Sequence, residues 1–221
     1  MIRFISIALL LVAAIAGYFW YSAQSLPSWF DDTQTQEEQL SEQLSEQIKR
    51  EGVGSFLGSK VSDILGGKLE LTETEFNALF LASLKLDEDG RKLLAVSDAI
   101  KAIIHQDHIE LGAVINLDKV EKVDPKVRKA VEKVNRLFPF LNDSRVALTV
   151  YGTPVVRDGK IGIKDDFHIK VGAIPISNDS LRQLGAKVER ANTSNLNLTH
   201  LSVSSLVMQD GKITLGVLPR F

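Results

Sequence analysis

The stretch LELTETEFNALFLASL, residues 69–84, opens with acids and closes with apolar residues spread over more than one helical face. Thr72 followed three residues on by Glu75 reads as a capping box, so a helix is predicted to start there. Phe76, Leu79, Phe80 and Leu84 make a broad stripe that Leu81 widens, and such a helix needs cover on more than one side. Upstream, Leu40, Leu44 and Ile48 recur at helical spacing and form a narrow apolar stripe on an otherwise polar helix over residues 33–50. The stripe fades at Gly52, short of coiled-coil length. Two readings stand open: a stalk that meets a partner through Leu40, Leu44 and Ile48, or a surface helix lying on the domain. Val53, Phe56, Leu57, Val61, Ile64 and Leu65 continue as an amphipathic segment that Gly66-Gly67 ends, and residues 69–71 read as extended. Leu94, Ile100, Ile103 and Ile104 predict a helix over residues 91–104 after an Asp89-Gly90 turn. Asp124-Pro125 opens another, with Asp as cap and Pro in the first turn.

Elsewhere the period changes from 3.6 to 2. Ile109, Leu111, Ala113, Ile115 and Leu117 alternate with less apolar neighbours, as do Ile161, Ile163, Phe167, Ile169 and Val171. Residues 145–157 and 160–171 are therefore expected to form one long hairpin around Asp158-Gly159, and the C-terminus a second around Asp210-Gly211. A phase slip near Thr199-His200 predicts a β-bulge, and residues 177–188 a short helix. The expected fold class is α+β, a long antiparallel curled sheet packed on amphipathic helices.

Residues 4–21 carry no charge and follow Arg3. At ~1.5 Å per residue they would make a helix of about 27 Å, close to a bilayer's apolar thickness. Tyr18, Trp20 and Tyr21 gather at its far end, where amphipathic rings favour headgroups. Residues 1–22 are thus expected to be a signal-anchor, residues 23–52 a polar helical stalk, and residues 53–221 an extracytoplasmic domain of the inner membrane. Cleavage after Ala16 is the competing reading, since Ala14-Ile15-Ala16 fits a small-x-small site. The chain has no Cys, so an exported domain must hold together by its core alone. Its net charge of −2 argues against nucleic acid, which needs a basic face.

Candidates for catalysis are few. Without Cys there is no thiolate chemistry. His105 and His108 stand three apart but straddle an element boundary, and no third ligand at metal spacing accompanies them, so solvated histidines are expected. His168 and His200 read as surface residues, and Asp165 as an acid turned outward. The run GSFLGSK, residues 54–60, has the wrong order for a phosphate loop, and no G-x-S-x-G elbow occurs. No nucleophile with a base emerges, so no enzyme activity, metal or cofactor is expected.

The order of these motifs carries a resemblance. An anchor, then LTETEFNALF, then strand–DG–strand with FHIKVGAIPIS, then a closing VMQDGKITLGV resembles the YpmS-like group of anchored envelope domains. It is also similar to the tubular lipid-binding architecture, in which curled strands wrap a helix. The likeness spans residues 69–217, and the chain departs from it by inserting residues 99–141. It implies handling of a lipid or other apolar ligand, or an assembly role, and it transfers no catalytic residue.

The expectation is therefore a non-enzymatic, membrane-anchored envelope protein with an apolar groove for a lipid or acyl chain. Phe76, Leu79, Phe80, Leu84, Phe167 and Ile169 are the groove candidates. A solid core made of the same residues is the other reading. The alternative function is an assembly protein that binds an envelope partner through residues 33–50.

Overall fold

The computed structural model describes residues 22, 25–30, 35–123, 145–164, 167–176 and 201–219. The fold is α+β, and every strand pairing among these residues is antiparallel. Helix α1, Gln36–Glu51, opens on a capping box made by Thr35 and Glu38 and stops at Gly52. Two short helices follow, α2 (Val53–Ser59) and α3 (Val61–Leu65). Strand β1, Lys68–Thr72, leads directly into α4, Glu73–Leu86, whose capping box is the predicted Thr72–Glu75 pair.

The next segment departs from expectation. In place of one helix over residues 91–104 there is helix α5, Glu88–Val96, and then strand β2, Ser97–Ile104. Asp87, not an Asp89-Gly90 turn, starts α5, its carboxylate accepting from the Gly90 amide at 2.8 Å. Ser97 ends it by donating to the Leu93 carbonyl at 2.7 Å while its own backbone turns extended. Beyond Ser97 the β-branched Ile100, Ile103 and Ile104 favour a strand, and their spacing is compatible with both periods.

Strand β3, Ile109–Asn116, returns beside β2, and Asn116 accepts from the amides of Asp118 and Lys119 to open α6, Leu117–Val123. Then come β4 (Arg145–Gly152), β5 (Pro154–Arg157), β6 (Lys160–Ile163), β7 (His168–Val171), β8 (Ile174–Ile176), β9 (Leu201–Gln209) and β10 (Lys212–Pro219).

The single long sheet that the alternation predicts is three sheets: β1-β10-β9, β2-β3-β4-β7-β8 and β5-β6. The first hairpin divides at Thr153, because β4 pairs with β7 while β5 pairs with β6. Pro154 has no amide to donate, and the Ile163 side chain occupies the space beside Gly152 where a Cβ would stand. Both Asp-Gly turns are at hairpin tips with both central residues left-handed: Asp158 at φ 53° and Gly159 at 73°, Asp210 at 51° and Gly211 at 70°. A register shift in the second hairpin falls between Gly216 and Val217. Thr199 and His200, where a bulge is expected, the helices predicted from Asp124 and over residues 177–188, Asp165 and the expected anchor segment 4–21 lie outside the described residues.

The core fills the space between the three-stranded sheet and the helices. Leu69, Leu71, Ile213, Leu215 and Val217 face Ala78, Leu79 and Ala82 of α4, with Ile48 and Phe56 closing the side. Helix α1 lies along α4. Ser41, Ser45 and Ile48 are its buried residues, and the two serines let the helices approach closely.

Candidate functional site

A cleft of about 420 Å³ opens between α1, α4 and the edge strand β2. Glu37, Glu38, Ser41 and Glu42 of α1 form one wall, and Glu73, Thr74, Asn77 and Leu81 of α4 form the floor. The facing wall is residues 97–101 of β2, with Leu94, Phe30 and Arg145 completing the rim.

The floor meets β2 through α4's polar side chains. Asn77 is 5% exposed, and its carboxamide bonds both backbone groups of one residue. Its oxygen accepts from the Ala102 amide at 2.6 Å, and its nitrogen donates to the Ala102 carbonyl at 2.7 Å. Glu73 accepts from the Ile104 amide at 3.1 Å. A side-chain amide thus stands where the next strand's peptide would stand. In an antiparallel ladder alternate residues point to the same side, so the Ile100 amide and carbonyl also point away from β3. They point toward the cleft.

Helix α1 is fastened to α4 from above. Ser41 donates to the Thr74 carbonyl at 3.3 Å. The Lys85 ammonium reaches Glu42 at 2.6 Å, Glu46 at 2.9 Å and the Ser45 hydroxyl at 2.8 Å. Burial depresses the Lys85 pKa, but the hydrogen bonds to Glu42 and Glu46 outweigh it and hold the group above the usual lysine range.

The far end of β2 is held by charge. Asp98 receives Lys119 at 2.8 Å, Arg145 at 2.8 Å and the Asn116 amide at 3.2 Å. Burial raises its pKa, and the bonds from Lys119, Asn116 and Arg145 more than reverse this, leaving the carboxyl below its ordinary value. The Arg145 guanidinium also lies 5.5 Å above the Phe30 ring.

The cleft is polar and mainly acidic. The lining carries Glu37, Glu38, Glu42, Glu73 and Asp98 against Lys101 and Arg145, so acids predominate. Both serine hydroxyls of the lining are spent on structure: Ser41 on the Thr74 carbonyl, Ser97 on the Leu93 carbonyl. No histidine lines it. Among the described residues no group of three or more His, Asp or Glu is placed to hold a metal ion.

The groove candidates are elsewhere. Leu79 is in the packed core at 5% exposed, and Phe76 packs against that core. Phe80, Leu84, Phe167 and Ile169 are half-buried, Ile169 pairing with Val150 and Ile176 in the sheet. None of the six lines the cleft. Of the partner-helix candidates, Ile48 is 2% exposed in the core, Leu44 packs against it, and only Leu40 is exposed. The residues of α1 that do line the cleft are polar, and hydrophobic periodicity passes over them. The signal available was Ser41, Ser45 and Ile48 at helical spacing, which marks Glu37, Glu38 and Glu42 as its flank.

His105 and His108 stack with ring centres 4.3 Å apart at the β2–β3 turn, the end of β2 remote from Asp98. Each holds a carboxylate, Glu110 at 3.2 Å and Asp107 at 2.7 Å. Lys60 of the GSFLGSK run pairs with Glu75 at 2.7 Å.

The described residues before α1 pack on the five-stranded sheet. The Ser22 carbonyl accepts from the Ala173 amide at 2.7 Å, and the Trp29 ring lies on Gly112, where any Cβ would collide with it. Among the described residues no helix is long and apolar enough to cross a membrane. Compared with protein-family models, with curated proteins and with solved structures, the chain matches none.

Proposed function

We propose that the protein is a non-enzymatic interaction module, tethered to the membrane by residues 4–21, that binds a protein partner in the cleft between α1 and β2. The observation that carries this reading is an open cleft walled by the polar face of α1 and by an incompletely paired strand edge. Exposed backbone donors and acceptors beside carboxylates, of which Glu37 and Glu38 have no cation partner among the described residues, recognise polypeptide better than hydrocarbon. An acyl-chain groove draws less support, because Leu79 is consumed by the core and the cleft's walls are rich in acid. The alternative reading of residues 33–50 as a partner helix is kept, with Glu37, Glu38 and Glu42 in place of the leucine stripe.

The test is a photo-crosslinking amino acid placed at Glu37 in the full chain in intact cells, with Val207 on β9 as the remote control; both positions are exposed. A discrete protein adduct from position 37 and none from 207 is expected. Adducts of lipid mass alone, or equal yields from both positions, would overturn the proposal.

A further inference from the structure

We infer that the occupant of the cleft is an extended, lysine- or arginine-bearing peptide segment that adds to β2 as a short strand at Ile100. This rests on the protein-binding reading above and specifies its chemistry. Strand β2 is the edge of the five-stranded sheet. The amide and carbonyl of Ala102 are already taken by Asn77, and the Ile104 amide by Glu73. Among the described residues, the outward pair at Ile100 has no partner, and it opens on the cleft. Asn77 shows what chemistry this edge takes: one amide that presents an oxygen to the amide N–H and an N–H to the carbonyl. A peptide unit running on from Asn77 toward Asp98 supplies the same pair of groups at Ile100. The irregularity in the β2–β3 register between Ser97 and Ala99 limits the added strand to a few residues.

Charge selects which peptide. Glu37 is exposed and has no partner among the described residues, and Glu38 and Glu42 follow it along the same wall. Asp98 is already neutralised by Lys119 and Arg145, and Glu42 by Lys85, so among the described residues the lining acids of α1 without a cation partner are Glu37 and Glu38, across the cleft from Ile100. A strand docked at Ile100 projects alternate side chains toward that wall, where a basic side chain is favoured and an acidic one is repelled.

The experiment uses the full chain in phosphatidylcholine nanodiscs, whose neutral surface does not attract basic peptides. Three fluorescein-labelled probes are compared by anisotropy: Lys-Val-Lys-Val-Lys, the same peptide N-methylated at its central amide, and Glu-Val-Glu-Val-Glu. The lysine peptide is expected to bind. Removing a backbone donor by N-methylation should weaken it by about tenfold, the value of roughly one good hydrogen bond. The glutamate peptide should show no binding. Ile100→Pro, which deletes the strand donor at an edge position where proline is tolerated, should weaken the lysine peptide comparably. Glu37→Arg, a surface change that leaves the fold intact, should weaken it too and keeps the test alive should Ile100→Pro not fold. Equal binding of the N-methylated peptide would reduce the site to charge alone and overturn strand addition. No binding of the lysine peptide would overturn it as well. If the crosslink at position 37 still captures a protein in either case, the binding reading stands and only its chemistry fails.

Discussion

The two ends of β2 solve the same problem in different ways. At Ala102 and Ile104 the strand's outward amides are closed by α4: Asn77 replaces a neighbouring strand and Glu73 caps the last donor. Ala102 is fully buried there, and Ile104 joins the core. At Asp98 and Ile100 the edge faces a cleft, and order comes from a carboxylate gripped by Lys119, Arg145 and Asn116. The closed end is buried at Ala102 and dependent on geometry. The open end is charged, half-wet and dependent on pH. A sheet edge left unpaired is a hazard for a soluble chain, so leaving only a short stretch of it open, beside like-charged glutamates, restricts what can dock.

The closed end should break hardest. Ala102→Pro removes the amide that Asn77 accepts from and forces a ring into a site with no exposure. It should cost about 4 kcal/mol or prevent folding, measured by urea denaturation. Asn77→Ala comes next. It leaves the Ala102 amide and carbonyl buried without partners, and about 3 kcal/mol is expected from two unsatisfied groups. A loss below about 1 kcal/mol would mean that water replaces the carboxamide, and the two ends of β2 would then not differ in kind.

How legible was this contrast beforehand? Where a few adjacent residues determine the outcome, the sequence is sufficient. Thr72 with Glu75 marks the start of α4, and the two Asp-Gly pairs mark hairpin tips because glycine and aspartate enter the left-handed region that both turn positions require. The strand over Ile109–Asn116 follows from strict alternation. Residues 91–104 misled because Leu94, Ile100, Ile103 and Ile104 fit a helical face as well as a strand, and what separates them is the tertiary partner, β3. The apolar residues of α4 fit a groove wall and a solid core alike in sequence, because whether a buried leucine fills a core or borders a void depends on what packs opposite. Here Leu69, Leu71, Ile213 and Leu215 pack opposite. The cleft itself was invisible to hydrophobic pattern, since it is made of glutamates, serines and backbone. Asn77, a lone amide inside an apolar helix, was the one clue that α4 meets an open strand edge.

The open end can be loosened by acid. The Asp98 carboxyl lies below its ordinary value, so it binds a proton less readily folded than unfolded. Its stabilisation is therefore complete above the unfolded value of about 3.9 and is lost as pH falls through the lower folded value. Asp98→Asn keeps the shape and removes the charge. At pH 7 it should cost about 1 kcal/mol, a figure kept small because Lys119 and Arg145 are partly exposed to solvent. The gap between the variant and the wild type in urea midpoint should close as pH falls below the carboxyl's lowered folded value. A gap that persists unchanged at low pH would show that Asp98 acts there by shape and not by charge.

The smallest effect sharpens the comparison most. Ile100→Pro and Ala102→Pro make the same chemical change two residues apart on the same side of the same strand. Ile100 is half-buried and its amide bonds nothing among the described residues, so proline there removes no hydrogen bond and loses only part of an apolar contact. The expected cost is about 1 kcal/mol or less, because edge positions whose N–H faces outward accept proline. The ratio of the two costs measures how far α4 has closed the edge. If Ile100→Pro were as damaging as Ala102→Pro, its amide would have to be engaged in the free protein, the cleft would be no opening in the ladder, and an added strand would have nothing to pair with. Should Ile100→Pro fold normally, the same protein can be carried into the peptide titration, where the missing N–H is felt only when a strand is there to accept it.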